Sequence, residues 1–126
     1  MPMLLAWITG ANASLFLFGG IQHAGIVLGP FHEPRIVPAA LVETVCGLAL
    51  TYAAAALFRH ANIARHVTVI SNLVALAGVM LGVLALALGA GPRTASNDLY
   101  HRLMLGAIGV SFALLYVSRM RAPSRR

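Results

Sequence analysis

Lysine is absent from this chain, cysteine occurs once, and only three residues in 126 are acidic. A lone Cys46 rules out an intramolecular disulfide and any CxxC pair for redox or metal chemistry. It sits within an apolar run, where a small buried side chain is expected. Charge of either sign is scarce too: 10% of the residues are charged, against about 25% in soluble domains. With 60% hydrophobic residues and a mean hydropathy of +0.85, the chain cannot cover a water-facing exterior, and lipid is the expected solvent. No lysine or arginine precedes Arg35, so the N-terminus lacks the basic region of a signal peptide. Ala11-Asn12-Ala13 matches a cleavage site in composition alone, and the first apolar stretch reads as a retained span.

What charge there is comes mainly from nine arginines, giving a net +6 and a pI near 11.2. They fall in breaks between apolar runs and in the tail rather than on a basic face interleaved with aromatics. That placement argues against a nucleic-acid partner. Arg119, Arg121, Arg125 and Arg126 crowd the last eight residues, as an anchor beside anionic lipid would.

Four apolar stretches approach the roughly 20 residues a helix needs to cross a bilayer: Leu4–Leu28, Val37–Phe58, Val67–Leu88 and Leu99–Ser118. The breaks between them hold Gly29-Pro30, Arg59–His66 and Gly91-Pro92, and Pro38 suits a first helical turn. Connections this short make neighbouring helices antiparallel, so the expected fold is an all-α, four-span, up-down-up-down bundle forming one domain, with a basic tail from Arg119 to Arg126. Six arginines (Arg59, Arg65 and the four in the tail) against three (Arg35, Arg93 and Arg102) place both termini in the cytoplasm. Trp7, Tyr100 and Tyr116 fall near span ends, where amphipathic rings prefer to sit. Gly78 with Gly82, Gly106 with Gly109, Ala107 with Ser111 and Gly47 with Thr51 supply the small residues that helices need to approach in lipid, within the bundle or between two copies.

Ionisable side chains inside a span are costly, and each is a functional candidate. Helix one carries Gln22 and His23 near its outer end, helix two carries Glu43 near its own, and helix four opens with Asp98, His101 and Arg102 on one face. Antiparallel geometry gathers these in the outer leaflet, with His32, Glu33 and Arg35 in the loop above. Glu43 beside Arg102 forms either an ion pair pinning helix two to helix four or part of a proton-accessible pocket for a small redox or lipid-like ligand. His23 and His101 also pose the question of a haem or metal, although no HxxxH or carboxylate-rich spacing accompanies them. A single membrane carboxylate suits a proton-coupled transporter, but small multidrug transporters carry theirs in the first helix, which here has none. Thr9 and Asn12, like Ser71 and Asn72, lie in the inner half and are expected to hydrogen-bond between helices.

The run Phe16-Leu17-Phe18-Gly19-Gly20-Ile21-Gln22-His23, with Pro38 leading to Glu43 and then Gly47-Leu48-Ala49-Leu50, resembles the DoxX-like family of small four-helix membrane proteins. The likeness covers nearly the whole chain. It implies a multi-pass protein of a bacterial plasma membrane, acting as an accessory subunit of a redox or envelope complex rather than as an enzyme alone. Some members are linked to quinone-coupled sulfur oxidation, which makes a quinone the cofactor to consider and a membrane protein or a second copy the partner. Glu43 is the residue the resemblance carries over. Where the family often has a lysine at the end of helix one, this chain has Gln22-His23.

Overall fold

The structure, a computed structural model, describes residues 2–28, 34–91 and 93–120. The features expected at Gly29-Pro30, His32, Glu33, Pro92 and the tail from Arg121 to Arg126 lie outside those residues. Four helices make up most of what is described: α1 Pro2–His23, α2 Val37–Phe58, α3 Ala64–Ala87 and α4 Ala95–Met120. Each is long and apolar enough to cross a membrane, the makeup of a multi-pass membrane protein. They pack in a ring in chain order, α1 against α2 most extensively and α4 against its two neighbours least. The bundle is up-down-up-down, with the start of α1, the α2–α3 turn and the finish of α4 at one end.

Three helices stop in the same way. At the end of α1, Ile26 N–H bonds Ile21 O and Gly25 N–H bonds Gln22 O, with Gly25 at φ 89°. The same pair of bonds closes α2 around His60 (φ 51°) and α3 around Gly89 (φ 70°). This left-handed turn satisfies carbonyls that hydrocarbon would leave bare. Gly25 explains why α1 ends at His23, five residues before the expected Leu28, although the apolar run continues. α4 begins four residues before the expected Leu99 because Thr94 caps it: Thr94 Oγ1 accepts the Asn97 N–H at 3.1 Å,. α3 also starts earlier than expected and takes Arg65 and His66 into its first turn.

Hydrophobicity does not separate the inside of these helices from the outside, but side-chain size and polarity do. The buried stripe of α1 runs Leu5, Thr9, Asn12, Phe16 and His23, while Leu4, Trp7, Leu15, Phe18 and Ile21 face outward. On α2, Glu43, Cys46, Gly47, Leu50 and Ala53 face in, and Leu41, Val45, Leu48 and Tyr52 face out. Lipid tails solvate leucine as well as a neighbouring helix does, so the interior keeps the residues that need or permit close contact. Two apolar clusters result, one around Phe16, Leu50, Met104 and Ile108 and one around Leu5, Leu57, Ala64 and Leu115. Between them lies a polar layer. Asn12 Nδ2 donates to Ser111 Oγ at 3.1 Å, joining α1 to α4, and Ser71 Oγ donates to Ala49 O at 2.9 Å, joining α3 to α2. Asn72 turns instead to its own helix, bonding Thr68 O at 2.8 Å.

The glycines divide sharply. A Cβ on Gly47 would fall 2.7 Å from the Leu17 side chain and 3.1 Å from its backbone nitrogen, so this glycine sets the α1–α2 distance. On Gly78 it would fall 2.6 Å from Cys46 Sγ, and Cys46 is the buried small residue expected. Gly106 and Gly109, by contrast, meet nothing within 4 Å; they are not contact points within the bundle. In detergent melts followed by circular dichroism, Gly47→Ala should destabilise by about 1–3 kcal/mol through overpacking. Gly106→Ala should be neutral or stabilising by up to about 1 kcal/mol, because glycine is the poorer helix former. Equal effects at the two positions would refute this assignment of contacts.

Candidate functional site

Helical side chains lean toward the N-terminus of their own helix. His23, at the last turn of α1, therefore reaches down the bundle, and Glu43, in the second turn of α2, reaches up. They meet: His23 Nδ1 and Glu43 Oε2 lie 2.7 Å apart, both side chains almost fully buried. The imidazole and the carboxyl share a short hydrogen bond away from solvent. The other carboxylate oxygen points at Gly19, where a Cβ would lie 2.9 Å from Glu43 Oε1 and 2.7 Å from Tyr100 Oη. Gly19 thus leaves the space in which the carboxylate and the phenol sit side by side.

α4 supplies the facing wall. Its buried residues Asn97, His101, Met104, Ile108, Ser111 and Leu115 repeat at alternating steps of four and three, a narrow stripe. His101 Nδ1 lies 2.8 Å from Asn97 O. A carbonyl only accepts, so Nδ1 carries a proton in this contact. The ring packs directly on Gly82 of α3, in the space a side chain there would occupy.

Between these walls lies a cavity of about 410 Å³. Phe16, Val42 and Val79 line its inner part, and Pro38, Leu81 and Leu86 line the part toward α2 and α3. Its polar lining comes from His23, Glu43, Asn97, Tyr100 and His101. Asn97 Oδ1 is buried and has no hydrogen-bond partner among the described residues, while the buried Tyr100 hydroxyl lies beside the Glu43 carboxyl. Buried polar atoms are nearly always satisfied, so the Asn97 oxygen on the cavity wall asks for a partner from outside the chain. Among the described residues, no three His, Cys, Asp or Glu side chains gather as a metal site.

The sequence-derived candidates divide accordingly. Glu43, His23 and His101 come together at the cavity. Gln22 is buried on α1, but its amide finds no partner among the described residues and it does not line the cavity. Asp98 pairs with Arg93 at 3.2 Å near the surface instead of joining His101. Arg102 is exposed, so the expected Glu43–Arg102 ion pair does not form. The reason is angular: successive residues on a helix are 100° apart, and a stripe narrow enough to bury His101 turns Arg102 outward. Tyr100, expected as an interfacial ring, turns its hydroxyl inward. Tyr100 and Asn97 were missed as site residues, and their signal was the spacing Asn97, Tyr100, His101, Met104 on one stripe. No family model, curated protein or solved structure matches this chain.

Removing one partner of a buried hydrogen-bonded pair strands the other. Glu43→Leu should therefore cost about 3–5 kcal/mol of stability, and the double change His23→Leu with Glu43→Leu should recover much of it. Arg102→Leu should add to Glu43→Leu with coupling below about 0.5 kcal/mol. Strong coupling between Glu43 and Arg102 in thermal melts would contradict the geometry described above.

Proposed function

We propose that this chain is a DoxX-like membrane subunit that takes a lipid-soluble ligand with a polar ring into the cavity, as an accessory component of a redox or envelope complex. In this reading it lies in a bacterial plasma membrane with both termini cytoplasmic, and the cavity is in the outer leaflet. The observation that carries the ligand is the unpartnered buried Asn97 Oδ1, which shares an otherwise apolar cavity lining with the Tyr100 hydroxyl. Ligand cavities have this makeup, with apolar walls and a few polar groups that fix orientation. A quinone ring suits it. Tyr100 O–H can donate to a ring carbonyl, Asn97 Oδ1 and His101 Nε2 can accept from a ring hydroxyl, and the His23–Glu43 pair lies next to Tyr100 to exchange a proton. Side chains of these types move protons rather than electron pairs, so a quinone-linked role requires a redox partner subunit. The accessory function needs only the bound ligand and the outward apolar helix faces. A small proton-coupled transporter built on Glu43 is the second reading, favoured by the burial of that carboxylate against His23.

The test is an optical spectrum and lipid-extract mass analysis of the protein purified in mild detergent, followed by titration with a short-chain quinone. Retained quinone, or saturable binding weakened about tenfold by His101→Leu at an unchanged melting temperature, is the expected result. Gly82→Ala should act in the same direction by pushing the His101 ring into the cavity. A colourless protein carrying bulk phospholipid alone, with no saturable quinone binding, would leave the cavity without a redox ligand and put a scaffold role first.

A further inference from the structure

The end of the bundle that carries the termini is built on a different chemistry. All three acidic residues of the chain, Glu33, Glu43 and Asp98, belong to the opposite half by their positions in the sequence. The termini end presents Arg59, Arg65 and Arg119, together with His60 and His66, all exposed. The ion pairs among the described residues, His23–Glu43 and Arg93–Asp98, are both at the far end. Among the described residues, the basic end therefore has no acidic side chain of its own.

A groove of about 340 Å³ opens there between the start of α1, the α2–α3 turn and the last turns of α4. Leu5, Leu57, Ala64, Leu114 and Leu115 make its apolar floor, and His60, Asn62, Arg65 and Ser118 make its rim. The first turn of α3 adds to the rim. Ile63 gives α3 no side-chain cap, and the turn's backbone bonds run from Ala64 N–H to Ala61 O and from Val67 N–H to Ile63 O. The amides of Arg65 and His66, between them, have no acceptor among the described residues. Two such amides at the positive end of a helix dipole, beside the exposed Arg65 guanidinium, favour an anion,. Directly below them, the floor offers the kind of surface that an acyl chain covers.

We infer that this groove binds one anionic phospholipid, its phosphate at Arg65 and the start of α3 and an acyl chain along Leu57 and Leu114. Charge complementarity selects the occupant. A zwitterionic lipid brings its own cation to a rim already positive, and a free phosphate leaves the apolar floor uncovered. This inference does not depend on what occupies the cavity at the opposite end.

The test is native mass spectrometry of the full chain released from mild detergent, titrated with phosphatidylglycerol or with phosphatidylcholine of the same acyl chains. One phosphatidylglycerol should be retained about tenfold more tightly than phosphatidylcholine, and Arg65→Gln should remove most of that preference. Arg93→Gln, at the opposite end, should leave it intact. Thermal melts should show phosphatidylglycerol stabilising the unsubstituted chain but not Arg65→Gln. Equal retention of the two lipids would overturn the proposal. So would equal losses for Arg65→Gln and Arg93→Gln, which would mean diffuse attraction. Displacement of the lipid by inorganic phosphate at matching concentration would overturn it as well, by showing an anion site that makes no use of the groove.

Discussion

Helices that share a hydrocarbon solvent gain little by hiding one leucine against another, and that constraint decides what the interior of this bundle contains. Contact must come from backbones that approach closely and from polar groups that find each other away from lipid. Gly47 under Leu17, Gly78 under Cys46 and Gly82 under His101 supply the first kind. The Asn12–Ser111, Ser71–Ala49 and His23–Glu43 contacts supply the second. The large hydrophobic side chains are left to face outward, so size and polarity distinguish inside from outside where hydrophobicity cannot.

The same constraint explains which parts of the structure could be read from the residues alone. Four spans and their alternation follow from length and from short breaks, and α2 occupies the expected Val37–Phe58. The end of α1 did not follow, because an apolar run carries no mark of the left-handed turn at Gly25. Its beginning and composition were legible; its stop depended on backbone geometry. Among the site residues, Glu43 and His23 stood out because an ionisable group in a span needs a reason. The identity of Glu43's partner was not legible, since an arginine is the stronger electrostatic match on paper. Helix rotation decided for His23 by turning Arg102 outward. Tyr100 was hidden by its type: an amphipathic ring near a span end has an adequate explanation at the interface, and only the stripe it shares with Asn97 and His101 turns it inward.

The two ends of the bundle handle polarity in opposite ways. At one end, charge and hydrogen-bonding groups are drawn inside, where His23 answers Glu43 and the remaining atoms open on a cavity. At the other, charge of one sign stays on the rim above an apolar floor. A bundle arranged this way presents a buried polar pair beside a cavity on one side and an open cationic rim on the other, and the apolar cluster around Phe16, Leu50, Met104 and Ile108 separates them.

The polar wall of the cavity contributed by α4 comes from three residues, Asn97, Tyr100 and His101, within five consecutive positions of a single helix. That helix is also the one held least extensively by its neighbours. Any tilt or slide of α4 therefore carries Asn97, Tyr100 and His101 together, changing their distance from the His23–Glu43 pair without altering their spacing among themselves. Its outward side leaves Leu99, Leu103 and Val110 exposed. The position of α4 alone thus sets how far its three cavity residues stand from the His23–Glu43 pair.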